Sequence, residues 1–461
     1  MIYAIVLLLV FFLHLILKMS WWATLIVGVY LLLMVNVHKK SYGRQIYQRE
    51  RFESTSMYID TLLYAFVKEG KILMAFEDVY NTLEDGMLKK VVEKAISHMQ
   101  MTFDETEIMG NSLKYIEEEF NCRRIKNIHE FMLHVEYYGG DIEGPVGLLL
   151  EDKSRWEQRI KKAISERKKM FVDVIMSVAA SILICGIILY LPIMDVDISK
   201  NIVSQILTIV VVIIDDLIIF AAQKYLSPDW LVIDSLEDEE MMSQKMLSHI
   251  NYDEKKEGKV SILFALIPMC MMVFFLYKAN KWGIAFSLSG VIFMLNQHRI
   301  GHALARKNLL KSVKSDFPRW LMDLALLLQS ENVQVAIMKS QSHVPGILKM
   351  DVEKLVGELE INPESVGPYH RFLNHLNLPE IHAAMGMLFA ISIGNNTRAD
   401  RQINELISRN LEMMDVADTQ MLHDLNSGLY LLFLAPVLTA SIKLLTDMAV
   451  FLIMFMQMQI V

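Results

Sequence analysis

The chain has 461 residues, 53% of them hydrophobic, and a formal net charge of −8. Its positive mean hydropathy points to membrane insertion, and the negative charge argues against a general nucleic-acid binder. Cys122, Cys185 and Cys270 are too far apart for zinc or redox spacing, so neither a disulfide framework nor a metal site is expected.

The chain is apolar from its first residues, with runs over 2–17 and 22–37 broken at Lys18-Met19-Ser20. No basic region precedes the first run and no A-x-A-like site follows it, so residues 1–38 read as a retained transmembrane hairpin rather than a cleaved signal. Residues 39–169 follow as a helical segment. Apolar stripes at helical spacing run through Ile59, Leu62, Leu63, Phe66 and Val67, then Leu88, Val91, Val92, Ala95, Ile96 and Met99, then Ile125, Ile128, Met132 and Val135. Helix breaks are expected at Glu69-Gly70, Asp85-Gly86, Gly110-Asn111 and Tyr138-Gly139-Gly140.

A second hairpin occupies 170–226, with runs over 171–191 and 202–222 broken by Pro192 and Met194-Asp195-Val196-Asp197. An acidic connector over 227–259, containing Glu237-Asp238-Glu239-Glu240, leads to a third hairpin over 260–297, broken at Lys278-Ala279-Asn280-Lys281. Residues 298–426 read as a second helical bundle, with stripes through Leu321, Leu324, Ala325 and Leu328, Ile381, Ala384, Met385 and Leu388, and Ile403, Leu406, Ile407 and Met414. Its breaks fall at Val344-Pro345-Gly346, Asn362-Pro363, Gly367-Pro368, Leu378-Pro379 and Gly394-Asn395-Asn396. The final segment, 427–461, reads as a fourth hairpin broken at Thr446-Asp447, because one long helix would put Lys443 and Asp447 near its middle. The expected fold is therefore an all-α polytopic membrane protein, with eight transmembrane helices in four hairpins and two cytoplasmic bundles.

Orientation follows the basic clusters. Lys39, Lys40, Arg44, Arg49 and Arg51 follow the first hairpin, while Lys161, Lys162, Arg167, Lys168 and Lys169 precede the second. Lys255, Lys256 and Lys259 precede the third, and Arg299, Arg306, Lys307, Lys311 and Lys314 follow it. All belong on the cytoplasmic side, which with eight spans puts both termini inside.

No P-loop, G-x-G-x-x-G, G-x-S-x-G or H-E-x-x-H motif occurs, and no catalytic, cofactor-binding or metal residue is expected. His134-Val135-Glu136 resembles the start of a deaminase motif, but no paired cysteines follow. The most pointed polar feature is Asp215-Asp216 inside an apolar run. At ~1.5 Å per residue, Asp215 lies about 20 Å into a core of about 30 Å. Adjacent helical residues point ~100° apart, so the two should find different partners. They are candidates for an intramembrane coupling contact, set against solvation near the inner surface. Gly139, Gly140 and Gly394 are candidate bundle hinges.

The order hairpin, bundle, hairpin occurs twice, over 1–226 and 260–461. The stretch from Leu62 to Ile72 parallels that from Asp323 to Val333, and Ala75-Phe76 meets Ala336-Ile337 at the same offset. The run from Phe317-Pro318-Arg319-Trp320 to Leu328 resembles the opening of the type II secretion F domain, a proline-led amphipathic helix, while Tyr138-Gly139-Gly140-Asp141 and the basic run 161–169 resemble its ending. The second copy has Gly394-Asn395-Asn396 but lacks the basic run. Two such units in tandem are similar to a fused pair of tight-adherence (Tad/Flp) pilus platform proteins. That resemblance implies a non-enzymatic platform in a bacterial inner membrane, without cofactors, coupling a cytoplasmic secretion ATPase to pilin or pseudopilin movement and working as a homo-oligomer. The alternatives are a transporter built from duplicated halves and a membrane scaffold or sensor.

Overall fold

A computed structural model describes all residues except 1, 101–104, 141, 191–196, 232–253, 278–280, 329–330, 342–343, 395 and 461. The sequence-predicted acidic stretch 237–240 lies outside the described residues, as does most of the second and third hairpin turns. No strand occurs among the described residues. The helices of the first copy are α1 (Ile2–Ile16), α2 (Trp21–Glu69), α3 (Ile72–Thr82), α4 (Met87–Gln100), α5 (Glu105–Phe120), α6 (Arg123–Tyr138), α7 (Glu143–Tyr190) and α8 (Ile202–Tyr225). Those of the second are α9 (Glu254–Tyr277), α10 (Lys281–Leu327), α11 (Val333–Ser340), α12 (Lys349–Ile361), α13 (Gly367–Arg371), α14 (Pro379–Ile393) and α15 (Asn396–Ile460).

Among the described residues, four helices are long and apolar enough to cross a membrane: α2, α7, α8 and α15; α1, the apolar part of α9 and α14 are apolar but shorter. The order of helices is similar in the two halves of the sequence. The hairpin α1–α2 has its counterpart in α9–α10, and the long α2 (49 residues) matches α10 (47 residues). Short bundle helices follow in both copies, and each bundle ends in a long helix, α7 with 48 residues and α15 with 65. Among the described residues, no helix of the second series corresponds to α8.

The last apolar segment is therefore one continuous helix, not the expected hairpin. The charge-cost argument fails because Lys443 and Asp447, one turn apart, neutralise each other at 2.6 Å and both are buried. Charge paired inside a helical packing does not require a turn at the surface.

The chain forms two compact units that do not follow its order. The first comprises Met1–Cys122, Leu150–Asp234 and Thr419–Val461, and the second Arg123–Leu149 and Ser235–Asp418. Helix α6, which the sequence groups with the first bundle, thus belongs to the second unit.

In the first unit, an apolar core of Val10, Leu13, Ala23, Val27, Leu31, Cys185, Ile209, Val212 and Ala440 joins α1, α2, α7, α8 and α15. Leu7, Leu8, Leu25, Leu33 and Ile187 stay exposed, as side chains facing lipid would. Below this core, Phe52 and Trp156 pack edge to face at 5.0 Å. Helix α2 stops at Gly70, whose φ of 64° closes the last turn with an N–H···O bond to Phe66 of 2.8 Å. The expected break at Gly110-Asn111 is absent, because α5 runs straight through it and buries Ser112 and Leu113. Packing here outweighs a glycine cost of about 1 kcal/mol.

In the second unit, Phe317, Trp320, Leu324, Ala336, Leu355, Phe372, Met385 and Leu406 form the core. Trp320 stacks on Phe372 at 5.5 Å and donates to Ser340 Oγ at 3.0 Å. Pro318 does not open a helix as expected but lies within α10. Its carbonyl accepts a 2.8 Å bond from the Asn410 side chain, which ties α10 to α15.

Candidate functional site

Helix α8 carries the polar residues that order the membrane core of the first unit. Ser204, Thr208 and Asp215 fall on one buried face because positions three and four apart stack along a helix. Near the first turn of α8, Ser204 Oγ donates to Asp447 Oδ1 at 2.7 Å, and Lys443 Nζ donates to Ser204 Oγ at 3.1 Å. Lys443 and Asp447 are 1% and 0% exposed. Beside them, Gln205 accepts from the Ser20 backbone N–H at 2.9 Å and donates to the Lys18 carbonyl at 3.0 Å. The first hairpin turn is thereby fixed to α8.

Eleven residues further along α8, about 16 Å at the helical rise, the two aspartates diverge. Asp215 is buried and accepts from Thr439 Oγ1 of α15 at 2.8 Å and from Ser181 Oγ of α7 at 3.3 Å. Asp216 faces α2, accepting from Tyr30 O–H at 3.0 Å and lying 3.3 Å from His38 Nε2. Within the membrane segment, then, Asp215 meets protein hydroxyls in place of the solvation considered from sequence. The pair connects α8 to three different helices.

Basic side chains close the opposite end of α8. Arg167 Nη1 donates to the Tyr225 carbonyl at 3.0 Å, where a cation complements the helix C-terminus, and its guanidinium lies 4.8 Å from the centre of the Trp230 ring. Burial pulls the Arg167 guanidinium down to about 10. Arg51 pairs with Asp229 at 2.6 Å and donates to the carbonyls of Glu119 and Phe120, both at 2.9 Å, at the end of α5. Residues that served the sequence reading as orientation signals thus also cap helices.

A second polar cluster explains why α6 sits in the second unit. Arg123 lies 3.9 Å from both Asp316 and Asp323 of α10, and Asn127 donates to Asp323 at 2.6 Å. Arg319 lies 3.4 Å from Asp316 and 3.8 Å from Asp418, and Arg124 lies 4.0 Å from Asp418. Three arginines and three aspartates balance one another. Burial pushes the Asp316 carboxyl up, against the pull of Arg319 and Arg123.

Between α6 and the α10–α11 region is a groove of about 180 Å³, lined by Asn127, His134, Gly139, Gly140, Asp323 and Lys339 among others. Burial, assisted by the Lys339 charge, lowers the His134 imidazole. Gly139 and Gly140 have φ of 73° and 140°, backbone that favours glycine. Gly394, the third candidate hinge, has an ordinary φ of −79°, but a Cβ there would lie 3.1 Å from the Ala390 carbonyl oxygen.

Sequence reasoning did not find the Lys443–Asp447–Ser204 cluster or the arginine–aspartate network. Their partners are hundreds of residues apart, as with Lys443 and Ser204 at a separation of 239, and no local spacing marks them. The one available signal was the i,i+4 spacing of Lys443 and Asp447. No family model, curated protein or solved structure matches the chain.

Proposed function

We propose that the chain is a non-enzymatic inner-membrane platform of a type II secretion or type IV (Tad/Flp-like) pilus machine, coupling a cytoplasmic ATPase to the movement of pilin or pseudopilin subunits. The observation that carries this reading is helix continuity. Helices α2, α7, α10 and α15, of 49, 48, 47 and 65 residues, each join bundle sequence to apolar sequence without a break. A 48-residue helix is about 72 Å long, of which a bilayer core takes about 30 Å. The remainder is a helical lever on the basic side, through which a displacement imposed on a bundle would be passed to the membrane. In this reading the polar contacts of Asp215 and Asp216 make α8 move with α2, α7 and α15.

The basic flanks support bundles on the cytoplasmic side. In this reading α15 crosses once, so its apolar part leads from the basic side to the outer side. Assembly as a homo-oligomer belongs to the same proposal.

The test is co-purification. The full chain in lipid nanodiscs is expected to retain a cognate assembly ATPase in a nucleotide-dependent way; absence of retention in every nucleotide state refutes the reading. The buried polar residues Asp215, Lys443 and Asp447 favour a second reading, a transporter. That reading predicts solute flux in proteoliposomes without any ATPase.

A further inference from the structure

The contact between α2 and α8 contains a polar site whose geometry constrains its proton content. His38 Nδ1 lies 2.8 Å from Gln223 Oε1, and Gln223 Nε2 donates to the His38 carbonyl at 3.3 Å. The second bond fixes the orientation of the amide, since the reverse would set two oxygens against each other. Nδ1 therefore faces an acceptor and carries a hydrogen. On the other side of the ring, Nε2 lies 3.3 Å from Asp216 Oδ1, while Asp216 Oδ2 accepts from Tyr30 O–H. If the imidazole were neutral and the carboxylate ionised, two lone pairs would oppose each other across that gap. One further proton, on the ring or on the carboxyl, turns the gap into a hydrogen bond.

The surroundings define the site further. From α2 the titratable groups are Tyr30 and His38, and from α8 they are Asp216 and its neighbour Asp215, which is turned towards Ser181 and Thr439. Phe220 packs its ring edge to face on His38 at 5.7 Å. Lys39, Lys40 and Lys224 are exposed and follow the site on its basic side. The His38 and Asp216 side chains are 25% and 14% exposed, so protons can exchange with water there.

We propose that His38 and Asp216 form a one-proton binding site that latches α2 to α8. With one proton shared the latch is closed. With the proton gone the facing lone pairs repel and α2 separates from α8 at this level. By linkage, any movement that parts the two helices releases the proton to the basic side.

The test uses the full chain in lipid nanodiscs, with the native cysteines replaced and spin labels at Val37→Cys on α2 and Lys224→Cys on α8. The expected result is a label distance that lengthens as pH rises, following a single-proton curve. In Asp216→Asn the side-chain amide can donate to a neutral His38, so the distance stays short at every pH. A distance that does not change with pH in the wild-type background, or an unaltered response in Asp216→Asn, overturns the proposal. Nitrogen NMR of the His38 ring in the unsubstituted chain is a second readout that does not depend on the variant folding. In the closed state Nδ1 carries a hydrogen and the ring nitrogens respond together to one proton; a bare Nδ1 overturns the latch.

Discussion

The Lys443–Asp447 pair permits a quantitative test of why α15 is a single helix. Both side chains are buried and share Ser204 as a common partner. Removing one member leaves the other charged with only a hydroxyl for company, which costs about 3–5 kcal/mol, whereas replacing both with apolar groups of similar size is often neutral or stabilising by about 1–4 kcal/mol. Lys443→Met and Asp447→Leu should therefore each destabilise the chain strongly, by roughly 100- to 4000-fold in the unfolding equilibrium at 1.4 kcal/mol per tenfold. The double substitution should restore stability to near the starting value. Reversible unfolding of the full chain in bicelles, followed by tryptophan fluorescence, gives the cycle. If the two single effects add in the double variant, the pair is not coupled and the explanation for the unbroken helix fails.

Three further outcomes follow from the same geometry. Asp215→Asn keeps an oxygen for the Thr439 hydroxyl, so the chain should fold with near-normal stability while pilus assembly or export falls; wild-type output by the doubly substituted Asp215→Asn, Asp216→Asn chain would remove the aspartates from coupling. Gly140→Ala, at φ 140°, should cost about 1–3 kcal/mol by thermal unfolding, while Gly394→Ala, at φ −79°, should be penalised only through the 3.1 Å approach of its Cβ to the Ala390 carbonyl. For Glu157, burial alone would raise the carboxyl, but Lys153, Lys161 and Ser56 together hold it down, from 4.5 to about 2. Its folded pKa lies below its unfolded one, so its stabilising contribution is complete above the ordinary glutamate range and is lost as pH falls towards about 2. Glu157→Gln should flatten that part of the acid-unfolding curve.

Much of the helical plan was readable locally. The stripes through Ile59, Leu62 and Phe66 and through Leu321, Leu324 and Ala325 are buried as expected, because burial on one helix face leaves a periodic trace. Gly70 marked a helix end because a left-handed residue closes α2, whereas Gly110 marked nothing, because packing around Ser112 and Leu113 outweighs its flexibility. The divergence of Asp215 and Asp216 followed from helical geometry alone. What escaped the sequence depends on distant partners. Lys443 and Asp447 read as a turn because Ser204 could not be placed beside them. Helix α6 read as part of the first bundle because its stripe says that it is buried, while Arg123, Arg124 and Asn127 determine where.

Cysteine labelling of intact cells with a membrane-impermeant maleimide tests the sidedness of the long helices. Glu93→Cys and Glu405→Cys, exposed positions in the two bundles, should stay unlabelled until the cells are opened, while Gln457→Cys near the end of α15 should react from outside. Labelling of either bundle position in intact cells, or protection of position 457, would contradict it.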